Sequence, residues 1–182
     1  MKAYLVFLDE SGFLLIPHLR RTWGPRGETP IVRHRYRRDK ISAISVVSVS
    51  PQQQRLGLYV HFHRDNIRRT EVAIFLRAVL RHIRGPVILL WDGGSIHEGP
   101  EIEKILRDHP RLSCERFPSY APELNPDEWV WRHLKHQLAN GRPDNLDELM
   151  EILCQLTTEA RKRKDLIASF VTASKLPSFL RP

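Results

Sequence analysis

Three carboxylates draw attention by where they fall. Asp9 follows an apolar stretch at residues 4–8, and Asp92 follows a second at residues 87–91. Glu128 comes three residues after Asn125, with Pro126 between them. A carboxylate just past a buried strand faces the crevice where α/β sheets bind ligands. Mg²⁺ prefers oxygen ligands, takes few carboxylates, and completes its shell with water and substrate phosphate. Two such ions, about 3.5–4 Å apart, serve the attacking and leaving oxygens of a phosphoryl transfer. Acids close enough to build that site repel one another until metal neutralises them.

Each acid also has a plainer reading. Asp92-Gly93-Gly94 is a good turn sequence, and Asp9 could be a solvated strand end. Asn125-Pro126 followed by Glu128 has the spacing of a capping box, in which the glutamate bonds back to the cap backbone. Glu123, Asp127 and Asp144 are competing acids nearby. The joint pattern, not any single residue, favours a metal site.

The elements that must position these acids can be read from periodicity. Residues 4–8 form a buried strand ending at Asp9. Residues 20–28, rich in Arg, Gly and Pro, form a loop or loose hairpin. Residues 41–50 are apolar and β-branched, and residues 55–62 alternate as their antiparallel partner. Thr70 caps a helix whose apolar face carries Val72, Phe75, Leu76, Val79, Leu80 and Ile83, and Gly85-Pro86 stops it. Residues 87–91 are a strand covered on both faces. Pro100 opens a short helix, residues 112–117 are the last strand, Asn125-Pro126 opens a helix to about Leu138, and Asn145 caps a final helix before a Pro-punctuated tail. Antiparallel strands followed by alternating strands and helices describe a mixed sheet flanked by helices.

Composition fits this reading. At 182 residues and 41% hydrophobic, the chain suits one domain with a sizeable core. We expect residues 1–140 to form the core and residues 141–182 a C-terminal helix and tail. Two cysteines in no motif argue against a disulfide framework or a cysteine zinc site. The apolar runs are too short to span a bilayer and no signal-peptide pattern opens the chain, so a cytoplasmic protein is expected. The net charge of +8, mostly arginine, favours a polyanionic partner.

The chain resembles the catalytic domain of the mariner superfamily of DDE transposases, in particular its bacterial insertion-sequence branch. Four blocks carry the resemblance. They are Leu8-Asp9-Glu10-Ser11-Gly12-Phe13; residues 22–30 around Trp23-Gly24; Leu90-Trp91-Asp92-Gly93-Gly94-Ser95-Ile96-His97; and Pro122-Glu123-Leu124-Asn125-Pro126-Asp127-Glu128 with Trp131 and Leu134-Lys135 after it. The last block is the most specific, and the 35 residues between Asp92 and Glu128 are close to the spacing of this superfamily.

The resemblance implies a ribonuclease H-like fold, which shares the element order above. It implies Asp9, Asp92 and Glu128 as catalytic ligands of two Mg²⁺ or Mn²⁺ ions. It further implies cut-and-paste transposition: cleavage of DNA at transposon ends, then joining of the freed 3′-end to target DNA at a TA step, by a homodimer. A ribonuclease H-like nuclease that cuts without joining, and a non-catalytic DNA-binding or regulatory remnant, are the alternatives. Two departures from the family pattern matter. Gly93-Gly94 replaces the usual Asn and small residue after the second aspartate. No helix-turn-helix domain precedes the first strand, so an upstream helix-turn-helix reading-frame product is a possible partner.

His97 and Asn125 are accessory candidates, His97 being read first as a hydrogen-bonded structural histidine. Arg33, Arg35, Arg37, Arg38 and Lys40 place five fixed positive charges in eight positions, suited to a DNA backbone or to a solvated hairpin. Arg132 and Lys135 follow Glu128 and join the DNA-binding candidates, and Arg64, Arg68 and Arg69 could extend the patch. Residues 161–164 read first as a solvated basic face. His61 and His63 share a strand face but have no evident third ligand. Of Trp129 and Trp131, only one can be fully core.

Overall fold

A computed structural model describes residues 2–16, 20–29, 31, 39–53, 55–141 and 143–177. Five strands form one sheet: β1 (Tyr4–Leu14), β2 (Lys40–Val49), β3 (Leu56–His63), β4 (Val87–Trp91) and β5 (Leu112–Arg116). Their order is β3-β2-β1-β4-β5. The first three pair antiparallel, while β4 runs parallel to both β1 and β5.

Side chains alternate across the sheet and build a separate core on each face. Leu5, Phe7, Phe13, Ile41, Ala43 and Val47 point to one face, where α3 (Pro126–Gln137), α4 (Leu146–Lys162) and α5 (Lys164–Ala173) pack. Val6, Leu8, Ile44, Val46 and Leu89 point to the other, covered by α1 (Arg69–His82) and α2 (Pro100–Asp108). Strand β2 is buried on both faces, so that Ser42, Ser45 and Ser48 are buried along with its apolar residues. No helix among the described residues is long and apolar enough to cross a membrane.

Three expectations need correction. The first strand does not stop at Asp9; it runs on to Leu14, because β2 offers it ladder partners as far as Lys40. Thr70 does not cap α1. The helix starts at Arg69, and the Glu71 carboxylate accepts the Arg68 N–H at 2.9 Å. The last helix is two. Asn145 caps α4 as expected, accepting the Glu148 N–H at 2.9 Å, but the chain turns at Arg163 and starts α5, which buries Ile167, Phe170 and Val171.

The basic run at residues 161–164 is not simply solvated. Arg161 donates to the carbonyls of Leu58 and Val60 at 3.1 and 3.0 Å, covering part of the exposed edge of β3.

Candidate active site

Strands β1 and β4 run parallel and in register as far as Phe7 beside Leu90. Continued by two residues, that register sets Asp9 across from Asp92, where β4 ends and the sheet opens. Helix α3 closes the third side. The Asn125 Nδ2 donates to the Leu8 carbonyl at 3.1 Å, and its Oδ1 accepts the Asp127 N–H at 3.1 Å. One buried side chain thus caps α3 and fastens its first turn to β1 one residue before Asp9. Asp9, Asp92, Asn125 and Glu128 all line one open cleft of about 660 Å³.

The capping-box reading of Glu128 does not hold. The Asn125 N–H donates instead to Pro122 at 2.9 Å, within the helical turn Pro122–Leu124. The exposed Glu128 carboxylate faces the cleft.

Alternation along β1 gives Asp9 and Glu10 opposite neighbours. Asp9 shares the α3 face, and its Oδ2 accepts the Trp131 indole N–H at 2.9 Å. Burial raises the Asp9 pKa to about 7, with the Glu128 and Glu10 carboxylates adding to the shift and the Trp131 bond opposing it. Glu10 turns to the other face, where its Oε1 lies 3.1 Å from His97 Nε2.

His97 is buried and hydrogen-bonded to Glu10 of β1 and to Asp92. Its side chain is 3% exposed and stacks on Trp91, centroids 4.5 Å apart. Its Nδ1 lies 2.9 Å from Asp92 Oδ1 and 3.1 Å from the Asp92 carbonyl. Burial opposes its charged form, but bonds to Glu10 and Asp92 outweigh this and raise its pKa. Asp92 Oδ1 also accepts the Gly94 N–H at 2.8 Å. A Cβ on Gly94 would stand 2.9 Å from that oxygen, so the glycine leaves room for the carboxylate.

Asp127 was passed over as a competing acid. It is wholly buried between α3 and β2, and accepts bonds from the Ser45 hydroxyl and, at 3.3 Å, the Val47 N–H. Burial raises its pKa strongly, and the nearby Asp9 adds to this. It anchors α3 to β2, while its neighbour Glu128 faces the cleft. Glu10, Trp131 and Asp127 had one signal in the sequence: adjacent positions on a strand or helix must face different ways.

The basic candidates divide. Lys135 donates to Ser11 Oγ at 2.8 Å, on the part of β1 that continues past Asp9. Arg132 lies over the Trp129 ring at 4.9 Å. Lys40 is exposed at the start of β2. Arg33, Arg35, Arg37 and Arg38 lie outside the described residues. Arg64 pairs with Asp147, and Arg69 lies 3.7 Å from Glu101, so both have acidic partners within the domain. His61 and His63 sit with ring centroids 6.3 Å apart, and His63 Nδ1 accepts the Asp65 N–H at 3.2 Å. Trp131 is core and Trp129 only partly buried, as the helix geometry required.

The family of DDE superfamily endonucleases matches residues 4–150. The chain belongs to that family. No curated protein matches it. Among solved structures it is similar to the Mos1 transposase paired-end complex with left transposon end, at 17% identity and a TM-score of 0.64 over 93% of this chain and 51% of that one. It is similar to the Mos1 strand transfer complex at 18% identity and 0.66, over 92% and 50%. For the catalytic domain of Mos1 mariner transposase the values are 14% and 0.59, over 93% and 74%. The chain thus spans about half the Mos1 chain in the DNA complexes. These likenesses establish the ribonuclease H-like fold: a mixed five-stranded sheet flanked by helices.

The site's chemistry suits a divalent cation. Three carboxylates line one cleft, and burial raises the Asp9 pKa with the Glu128 and Glu10 charges adding to it, a conflict that a cation would relieve. Among the described residues, no three His, Cys, Asp or Glu side chains converge tightly enough to enclose an ion on their own. That is compatible with an ion whose remaining ligands are water and substrate phosphate.

Proposed function

We propose that this chain is the catalytic domain of a transposase of the mariner superfamily, in its bacterial insertion-sequence branch, that cuts DNA strands and joins the resulting 3′-ends to target DNA. The observation that carries the reading is that Asp9, Asp92 and Glu128, from β1, the end of β4 and the first turn of α3, all line one open cleft. Family membership and the Mos1 likeness support it. Mos1 is described bound to transposon ends and with Mn or Mg.

In this reading Asp9, Asp92 and Glu128 would hold two Mg²⁺ or Mn²⁺ ions, which when bound would neutralise the carboxylates and polarise the phosphodiester. The protein's own part is positioning. The Trp131 N–H orients Asp9, while the Gly94 N–H and His97 fix one oxygen of Asp92 and leave the other to the cleft. Asn125 and Asp127 hold the helix that carries Glu128. Arg132 and Lys135 on α3, Lys40, and the arginines at 33, 35, 37 and 38 would meet the DNA backbone through charge.

We read residues 1–182 as one catalytic domain, whose core takes in Leu149 and Leu153 of α4 and Ile167, Phe170 and Val171 of α5 rather than stopping at residue 140. It works in the cytoplasm as a dimer on two DNA ends and inserts at TA steps.

A strand-transfer assay with Mg²⁺ or Mn²⁺ tests the proposal. The expected result is metal-dependent joining of a labelled 3′-end to target DNA, abolished by Asp92→Asn in a folded protein. Cutting without joining would indicate a nuclease instead, and DNA binding without cutting a regulatory remnant. An Asp92→Asn variant that cleaved normally would overturn the assignment of Asp92.

A further inference from the structure

Tyr120 has no part in the site as described, yet it stands at its mouth. It lies between β5 and α3, in the loop from Pro118 to Pro122 that forms one wall of the cleft shared with Asp9, Asp92 and Glu128. Its backbone adopts φ +59°, a left-handed conformation that is uncommon for non-glycine residues and rarer still for bulky ones. Two other described residues share that angle. Asn140 is a type that tolerates it and accepts the Arg20 N–H through its side chain, and Gln53 sits in a turn closed by a bond to Ser50. Tyr120 instead spends the conformation on full exposure of its side chain, at 101% of the reference area. Burial therefore cannot be what the conformation serves. Pro118 and Pro122, with φ fixed by their rings, stiffen the loop on either side.

A fully exposed aromatic ring at the mouth of a cleft read as phosphodiester-cutting matches one chemical partner well. Nucleobases stack on aromatic rings regardless of sequence, provided they have left the duplex stack. A protein partner would call for an apolar patch clear of charge, whereas Tyr120 and its neighbours Pro118, Ser119 and Ala121 share their cleft with Arg116 and the carboxylates of Asp9, Asp92 and Glu128.

We propose that Tyr120 is a stacking platform for an unpaired base next to the phosphate held in the cleft. The inference rests on the functional reading above and adds to it a residue that grips the splayed end of the DNA.

The test uses the full chain and two short DNAs with Mg²⁺ or Mn²⁺. One is a blunt duplex; the other carries a single-stranded 3′ extension whose first unpaired base is 2-aminopurine, a fluorescent base quenched on stacking. Wild type should quench the probe and bind the extended DNA more tightly than the blunt one. Tyr120→Phe should match it. Tyr120→Ala should lose the quenching and bind the extended DNA about 5- to 150-fold more weakly, the range that one base stack provides, with little change on the blunt duplex. Tyr120→Gly relieves the backbone and removes the ring, so it should remain folded and behave like the alanine variant. Wild-type quenching and affinity in both ring-less variants would overturn the proposal, as would an equal loss on both DNAs. Failure of the wild type to bind or cut either DNA would overturn the functional reading itself, and base stacking with it.

Discussion

At the scale of single residues, Asp9 works against the stability of the metal-free fold. Its carboxyl has a pKa of about 7 against an ordinary value of 3.8, so the folded state holds the proton more tightly than the unfolded chain does. The associated stability is fully present below about pH 4 and is lost as pH rises towards 7. Asp127, raised for the same first reason, acts with the same sign. We expect the metal-free protein to lose stability across that interval, measured by urea unfolding at a series of pH values. Asp9→Asn should flatten the dependence and be the more stable protein at neutral pH, by on the order of a few kcal/mol. A wild type that gained stability over the interval would contradict the placement of Asp9.

Gly94 gives a second prediction at this scale. In Gly94→Ala the new methyl group meets Asp92 Oδ1 at 2.9 Å, with His97 Nδ1 next at 3.6 Å, an ordinary contact, at a half-buried loop position. The melting temperature should hardly move, whereas metal-dependent cleavage should fall at least tenfold, on the order of the effect of displacing a group by about 1 Å. Unchanged cleavage would show that Asp92 does not need the space. The three carboxylates were legible in the sequence because their spacing and the Pro-Glu-Leu-Asn-Pro block belong together. Glu10, Trp131 and Asp127 were not, because their roles depend on which face each residue takes once β1, β2 and α3 are packed.

At the scale of elements, the site depends on how α3 is pinned. Asn125 does two things at once: it caps the helix and it satisfies the Leu8 carbonyl. Asn125→Ala should cost about 2–4 kcal/mol, the sum of a lost cap and a buried carbonyl left unpaired, read by denaturant unfolding. A loss no larger than that of an exposed surface substitution would contradict the clamp. Strand β4 could be located to the residue because it is a continuous apolar run closed by turn residues. The second half of β1 could not. Asp9-Glu10-Ser11-Gly12 reads as the start of a loop, and only the ten-residue length of β2 beside it keeps the chain extended. The break at Arg163 was hidden for a related reason, since the apolar stripes of α4 and α5 nearly join in sequence.

At the scale of the whole molecule, two apolar cores on either side of one sheet hold a cleft whose acids destabilise it. Such a fold gains stability when a cation binds only its native state. The most direct test is thermal unfolding of wild type, Asp9→Asn, Asp92→Asn and Glu128→Gln, with and without Mn²⁺ or Mg²⁺ and a short DNA. At a hundredfold excess over the dissociation constant, the wild type should melt about 5–10 °C higher. Each variant should lose most of that response, and Asp9→Asn should start from a higher melting point without metal. Variants that respond to metal as fully as the wild type would contradict the claim that Asp9, Asp92 and Glu128 form one metal site.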